Sequence, residues 1–551
     1  MARSSSETSA AAGRARAPGT SAGHTVPEEP PEHRWWVLVV IGVAQLMVIL
    51  DATIVTIALP SAQQDLGFSD GDRQWVVTAY ALAFGSLLLF GGRLADLFGR
   101  KRIFLIGLVG FAAASAMGGA AASFEILVVA RALQGAFGAV LAPAALSLLT
   151  TTFTDPKERA KAFGIYGAIA GAGAAVGLLL GGILTEYLDW RWCLYVNLLF
   201  AVAAFLGGAR LLRPGVPPDR PTLDLPGTLL VSAGLFGIVY GFSNAERHPW
   251  SAASTWGFLL AGAVLLAAFV WWQQRAVHPL LPMRVVGDRD RGASFLAMFL
   301  SGAGMFGVFL FLTYYMQRTL HYSPVRTGLA FLPMVALLVA SSVITTNILV
   351  PRYGAKPIVP TGMLLAGGAM AWMTVLDADS SYAAHIMPPL LLLGVALGLI
   401  FATAMNLATA GVKVHDAGVA SAMVNTSQQV GGSVGTSLLN TLATSAATHY
   451  LVGRRPTPSA VSQSQLHSYA VAYWWSAGFF AFGFLVTFLL FRPGPPRIAE
   501  PTQLESPSQA TPRLAHIPET APIKVPYTAT VSAWQPTRQT PCPSPSPCST
   551  P

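Results

Sequence analysis

Residues 36–59 read WVLVVIGVAQLMVILDATIVTIAL, a long apolar run interrupted by one charge, Asp51, and one amide, Gln45. Lipid offers no partner to backbone N–H and C=O groups, so such a segment is stable in a bilayer only as a helix, and about 20 residues suffice to cross. The same reading extends along the chain. Runs near 75–94, 103–122, 126–149, 161–184 and 192–211 complete a set of six, a pair follows near 226–242 and 255–273, and six more lie at 294–316, 327–350, 358–376, 385–410, 420–444 and 469–491. The pattern predicts an all-α polytopic membrane protein with about fourteen transmembrane helices. Residues 36–211 form a first six-helix bundle, 212–292 a linker with two inserted helices, and 293–491 a second six-helix bundle. Residues 1–35 and 492–551, rich in Ala, Ser, Pro and Thr without apolar periodicity, read as disordered cytoplasmic tails.

Composition supports this class. Across 551 residues, 53% are hydrophobic and 11% charged, with a mean hydropathy of +0.53. The net charge of +9 is spread in short clusters between apolar runs, which argues against a nucleic-acid surface. Cys193 lies in an apolar run, while Cys542 and Cys548 fall in the Pro/Ser-rich tail, so neither a disulfide framework nor a metal cluster is expected. The N-terminal segment lacks the apolar core of a secretory signal. Abundant Ala, and Arg in excess of Lys, fit a GC-rich bacterial gene.

Basic residues set the orientation. With a cytoplasmic N-terminus, the outer loops hold only Arg73, Arg191, Arg247, Arg318, Arg326, Arg454 and Arg455; apart from Arg131, the rest of the 34 fall inside. Both termini are therefore expected in the cytoplasm of a bacterial plasma-membrane protein. A weak repeat accompanies the pattern. Leu97-Phe98-Gly99-Arg100-Lys101 follows the second run of the first six, and Arg352-Tyr353-Gly354-Ala355-Lys356 follows the second run of the last six. Each places an aromatic residue, a glycine and a base at a tight turn, as expected of a duplicated bundle with the middle pair inserted.

Only Asp51 and Arg131 place charge well inside the spans. At 1.5 Å per residue they lie about 12 and 8 Å from the outer ends of their helices, so they can meet. A charge at this depth costs roughly 2.5–3.5 kcal/mol on insertion scales, and one that persists usually faces a cavity or a partner. Burial favours the protonated carboxyl, while Arg131 or a cationic substrate favours the carboxylate, so proton and substrate compete for one site. Competition of this kind is antiport. Histidines such as His278, His321 and His415 fall in loops, tails or span ends, which leaves no imidazole relay at mid-depth.

These residues resemble the major facilitator superfamily, and within it the fourteen-helix drug:proton antiporters. Leu50-Asp51-Ala52-Thr53-Ile54-Val55-Thr56-Ile57-Ala58-Leu59-Pro60 is similar to that family's first-helix signature. Gly92-Arg93-Leu94-Ala95-Asp96-Leu97-Phe98-Gly99-Arg100-Lys101 resembles the superfamily's loop motif, with Leu97 in place of the usual Arg. There Gly92 and Gly99 permit a tight turn, and Asp96 with Arg100 and Lys101 is expected to form a breakable cytoplasmic gate. Arg131-Ala132-Leu133-Gln134-Gly135-Ala136-Phe137-Gly138 resembles the fourth-helix motif, whose Arg the family implicates in proton coupling. Gly173, Gly177, Gly181 and Gly182 match the antiporter motif of the fifth helix, with Leu178 where the motif has Pro, and glycines four apart suit a hinge between bundles. Trp190-Arg191-Trp192 and Asn197 resemble the segment joining helices five and six. Gln134, Asn425, Gln428 and Gln429, the last three just before Gly431-Gly432, are candidates for a substrate cavity. The resemblance covers about residues 36–491.

It implies an exporter of bulky organic compounds such as antibiotics, driven by inward protons through rocking of the two bundles, working as a monomer without a cofactor. The alternative is proton-coupled uptake or exchange of a small metabolite, which usually calls for a more polar and charged lining. An enzyme would need a nucleophile with its base, or a metal-ligand cluster, and neither pattern is present in the sequence. A nucleotide-driven pump would need a phosphate-cradling loop, G-x-x-x-x-G-K-[ST], which is also missing.

Overall fold

The computed structural model describes residues 33–493, apart from 154, 213–223, 249, 251, 411, 413–416 and 456. The expected tails therefore lie almost wholly outside the described residues. The described chain is helical: α1 (Arg34–Leu66), α2 (Gln74–Phe98), α3 (Arg100–Gly119), α4 (Phe124–Thr152), α5 (Pro156–Tyr187), α6 (Trp192–Leu211), α7 (Leu225–Arg247) and α8 (Ala253–Gln273). A short α9 (Met283–Val286) precedes α10 (Arg289–Tyr314), α11 (Pro324–Ile344), α12 (Val350–Tyr353), α13 (Ala355–Met373), α14 (Met387–Thr409), α15 (Ala417–Leu451) and α16 (Pro458–Leu490). Wider π turns extend α10 through Thr319 and α11 through Leu349, and another leads into α14. Among the described residues, eleven helical segments are long and apolar enough to cross a membrane.

Local sequence explains where these helices begin. Asp155 accepts hydrogen bonds from the N–H groups of Lys157 and Glu158, with Pro156 in the first turn, so α5 starts with its orphan donors satisfied. Ser323 before Pro324 and Thr457 before Pro458 repeat the device at α11 and α16. Gly67 ends α1 at φ 67°, a left-handed position where its N–H bonds back to the Gln63 carbonyl.

Packing groups the helices into two sets. In the first, α1 packs on α4, α5 and α6, α2 on α4, and α3 on α4 and α6. In the second, α10 packs on α14, α15 and α16, α11 on α14, and α13 on α14 and α16. The sets meet through α2 against α15 and α5 against α11, while α7 packs on α2, α8 and α15. Glycine makes the closest approaches possible: a Cβ on Gly431 would overlap the Phe299 carbonyl of α10, and one on Gly135 the Tyr80 carbonyl of α2.

Candidate functional site

Asp51 lies mid-way along α1, with no solvent exposure. Four helices supply its surroundings. From α4, Arg131 Nη1 donates to Asp51 Oδ2 at 2.6 Å and to Gln134 Oε1 at 2.8 Å, and Arg131 Nε donates to the Val76 carbonyl of α2 at 3.0 Å. Its guanidinium carbon lies 4.4 Å from the centre of the Tyr80 ring. Gln134, one turn further along α4, donates through Nε2 to Asp51 Oδ1 at 2.9 Å and to Ser115 Oγ of α3 at 2.7 Å. From α6, Asn197 Nδ2 donates to Asp51 Oδ1 at 2.7 Å. Every one of these side chains is buried. A carboxylate taken out of water needs such partners, since an unpaired one would be prohibitively costly.

Toward the C-terminal end of α1 the first set is apolar. Val55 stands one turn beyond Asp51, Leu127 one turn before Arg131, and Leu194 one turn before Asn197. Together with Val76 and Cys193 they line a narrow apolar gap beside Trp190. Trp190 and Arg191 both donate to Asp65 Oδ2, at 3.1 and 2.7 Å, which ties the α5–α6 turn to the end of α1.

At the same end the two sets are joined by a polar lock. Arg318, just past α10, pairs with Asp70 at 3.1 Å and donates to Gln63 at 2.9 Å, while Tyr314 also donates to Gln63 at 2.7 Å. Arg73 donates to Asn440 of α15 at 3.2 Å and lays its guanidinium 4.3 Å from the Tyr314 ring centre. Asp70 lies between α1 and α2. Burial raises its carboxyl, but Arg73, Gln63 and Arg318 outweigh this and hold it below its ordinary 3.8. Glu186 at the end of α5 accepts from the Val325 N–H of α11 at 3.0 Å.

The sequence-predicted residues divide in this structure. Asp51 and Arg131 meet. Gln134, expected on a cavity, instead spends its polar atoms inside the buried network. The expected glycine hinge also divides: Gly173, Gly177 and Gly181 face α1 within the same set, and only Gly182 crosses, so that a Cβ there would lie 2.7 Å from Val325 Cα. Leu178 leaves α5 continuous from Pro156 to Tyr187. In the loop motif, Gly99 has φ 91° at the α2–α3 junction, matching Gly354 at φ 73° between α12 and α13. Lys101 Nζ donates to the Ala209 carbonyl at 2.8 Å near the end of α6, and Arg93 donates to the Pro279 carbonyl at 3.3 Å. A Cβ on Gly92 would make only an ordinary contact with Pro143. Arg100 is half-buried at the start of α3, and the Asp96 side chain lies outside the described residues. On α15, Asn425 is exposed, and Gln428 and Gln429 are half-buried.

The roles of Ser115 and Val76 carry no motif signal in the sequence, and Asn197 is marked there only by its resemblance to the segment joining helices five and six. The sequence places Arg73 and Arg318 simply in outer loops. A further network went unseen: Asp224, ahead of α7, accepts from Trp272 Nε1 at 2.8 Å and Gln273 Nε2 at 2.6 Å of α8. Burial raises the Asp224 carboxyl, yet these donors and the Gly227 and Leu280 N–H groups bring it below its ordinary value.

The family model of the Major Facilitator Superfamily matches residues 41–436. A puromycin resistance protein of Streptomyces alboniger is 52% identical over 457 residues, covering 82% of this chain and 90% of that protein. A cephamycin export protein of Amycolatopsis lactamdurans is 40% identical, covering 74% and 84% respectively. In fold, the chain is similar to a bacterial homologue of the human lysosomal transporter Spinster, solved inward-facing and unoccupied, with TM-score 0.60, 16% identity, and coverage of 83% and 97%. By sequence and by fold, this chain belongs to the Major Facilitator Superfamily.

Proposed function

We propose that this transporter, which is not an enzyme, exports bulky organic compounds of the antibiotic class across the bacterial plasma membrane in exchange for protons. Asp51 is the proton carrier and Arg131 its counter-charge. The observation that carries the reading is the ion pair between them inside one helical set, with both side chains shut off from solvent. Binding a proton at Asp51 removes the negative charge that faces Arg131 and weakens the tie between α1 and α4, which links protonation to a change of packing. The export direction and substrate class are supported by relatives named for antibiotic resistance and export.

Fourteen spans, with both termini in the cytoplasm, complete the proposal. Two observations support a duplicated bundle: the same helix-to-helix pairings recur in the two sets, and Gly99 and Gly354 occupy matching turns with positive φ. The polar lock then closes the outer end, as in an inward-facing state. Gly92, Asp96, Gly99, Arg100 and Lys101 remain the proposed cytoplasmic gate, and Asn425, Gln428 and Gln429 the proposed cavity residues of α15.

One observation favours a second reading. Asp51 has no exposure and a full set of donors, as a static pin between helices would have. Proton coupling requires that another conformation opens a path to it. The substrate class is tested by expressing the chain in a sensitive host and measuring puromycin susceptibility and accumulation. Raised resistance with lowered accumulation supports export; unchanged accumulation across a broad antibiotic panel removes the assigned class.

A further inference from the structure

Among the described residues, Asn197 Oδ1 is a buried acceptor without a hydrogen-bond partner, in a side chain whose nitrogen is engaged by Asp51 and Ser115. The orientation is dictated by charge: turned the other way, the amide oxygen would face the Asp51 carboxylate at the same short distance and repel it. An orphaned amide oxygen in a dry interior is costly, so it calls for an explanation beyond packing.

That explanation lies in what Asp51 needs when it takes up a proton. Its Oδ2 faces Arg131 Nη1, a donor in every protonation state, so a proton there would set two donors against each other. Its Oδ1 is met by two amide nitrogens, Gln134 Nε2 and Asn197 Nδ2. Gln134 cannot turn round cheaply, because its oxygen holds Arg131 and its nitrogen also holds Ser115. Asn197 has no such tie on its oxygen. Rotation of its terminal amide by half a turn would bring that oxygen to where Nδ2 now stands, 2.7 Å from Asp51 Oδ1. This is the usual length of an O–H···O hydrogen bond.

Taking the proposal of Asp51 as proton carrier as its basis, we infer that Asn197 is a donor–acceptor switch. It donates N–H to the Asp51 carboxylate and, once Oδ1 has taken a proton from water, rotates to accept the new O–H. Ser115 Oγ, 3.4 Å from Asn197 Nδ2, stands beside either orientation. The rotation exchanges an idle oxygen for an idle nitrogen and leaves the number of orphaned groups unchanged. Asn197 is thus a positioning residue, which lets one oxygen of Asp51 be protonated without breaking the Arg131–Gln134 pairing. Among the described residues, the titratable or charged side chains facing this site are Arg131 from α4, Tyr80 from α2 and Cys193 from α6. None of these is an acceptor able to replace Asn197, since Arg131 holds no acceptor, the Tyr80 ring lies under the guanidinium, and Cys193 Sγ is directed at the Gly181 carbonyl.

The test is infrared difference spectroscopy of the full-length protein in lipid, stepped between high and low pH. A carboxylic C=O band lost in Asp51→Asn is the Asp51 signal; if no such band exists, the proton-carrier proposal itself fails. With the band assigned, Asn197→Val removes both donor and acceptor, and the band is expected to move to higher frequency as the acid loses its hydrogen-bond acceptor. Asn197→Thr, whose hydroxyl both gives and accepts, is expected to hold it near its original position. In wild-type protein carrying 13C at asparagine amide carbonyls, the same pH step is expected to shift one carbonyl band, and that shift is expected to be absent in Asn197→Thr. An Asp51 band in the same place in all three proteins, or a pH step that moves no asparagine carbonyl, overturns the switch and leaves the proton-carrier proposal standing.

Discussion

Arg131 Nη1 sits 2.6 Å from Asp51 Oδ2 although 80 residues separate them in the chain, and both side chains are closed off from solvent. The pair is the electrostatic centre of the first helical set, and the surrounding amides and hydroxyl exist to satisfy it. Its energetics set the first prediction. Arg131→Ala leaves a buried carboxylate without its counter-charge, which costs about 3–5 kcal/mol. Joint replacement, Asp51→Leu with Arg131→Met, is expected to recover much of that loss. Thermal unfolding in detergent reads both; equal stability of wild type and Arg131→Ala contradicts the geometry.

Arg131→Lys is expected to disable transport even though charge is kept. A single ammonium cannot reach Asp51, Gln134 and the Val76 carbonyl together, nor lie flat on Tyr80 as the guanidinium does. Substrate efflux in vesicles at matched expression measures the loss.

The polar lock, proposed to close the outer end, makes a separate prediction about pH. Because Arg73, Gln63 and Arg318 hold the Asp70 carboxyl below 3.8 despite its burial, the lock's charge pairing is full above that value. It fades only as pH falls through the lowered one. Outer-end closure is therefore expected to be indifferent to pH between neutrality and about 5, and Asp70→Asn to loosen it throughout that range. Gln317, half-buried beside Arg318, donates to the Ile57 carbonyl of α1 at 3.0 Å, and a thiol at Gln317→Cys, with the native cysteines replaced, reports this through its rate of labelling by a membrane-impermeant reagent. A labelling rate that changes steeply near pH 6 would identify the lock as a proton sensor.

Gly182 offers a steric test of movement between the sets. A Cβ there would press on Val325 Cα at 2.7 Å, so Gly182→Leu is expected to wedge α5 away from α11, expose the outer end and stop transport without preventing insertion. Gly257, with open space around its missing Cβ, serves as the control, and Gly257→Ala is expected to be neutral.

Asp224→Ala removes the acceptor shared by Trp272 Nε1, Gln273 Nε2 and the Gly227 N–H. The loss is expected to cost about 1.5–3 kcal/mol, as for hydrogen bonds to a charged group, and to loosen α7 from α8. Faster proteolysis of the segment between α8 and α9 would show it.

Much of this was legible in the sequence. Apolar run length located the helices because lipid imposes one solution on the backbone, and Asp51 and Arg131 stood out because charge in such runs is rare. What stayed hidden depends on which face of a helix meets which neighbour. Three of the four motif glycines turn to α1 and one to α11, a distinction of helical phase and tilt that spacing alone does not carry. Ser115 and the Val76 carbonyl are ordinary until the fold sets them beside a guanidinium and an amide. Arg73 and Arg318 read as loop charges, yet the closing of the two sets turns them into partners of Asn440, Asp70 and Gln63. Gln134 read as a cavity residue, but standing one turn from Arg131 on α4 it is drawn into the ion pair's own hydrogen bonds.

The central claim is that Asp51 carries the exchanged proton. Its most direct test uses everted vesicles with an imposed proton gradient, comparing wild type with Asp51→Asn for uphill puromycin accumulation and substrate-driven proton release. Wild type is expected to accumulate substrate and move protons together, while Asp51→Asn, still inserted, moves substrate only down its own gradient and releases none. Undiminished uphill accumulation by Asp51→Asn would contradict the account.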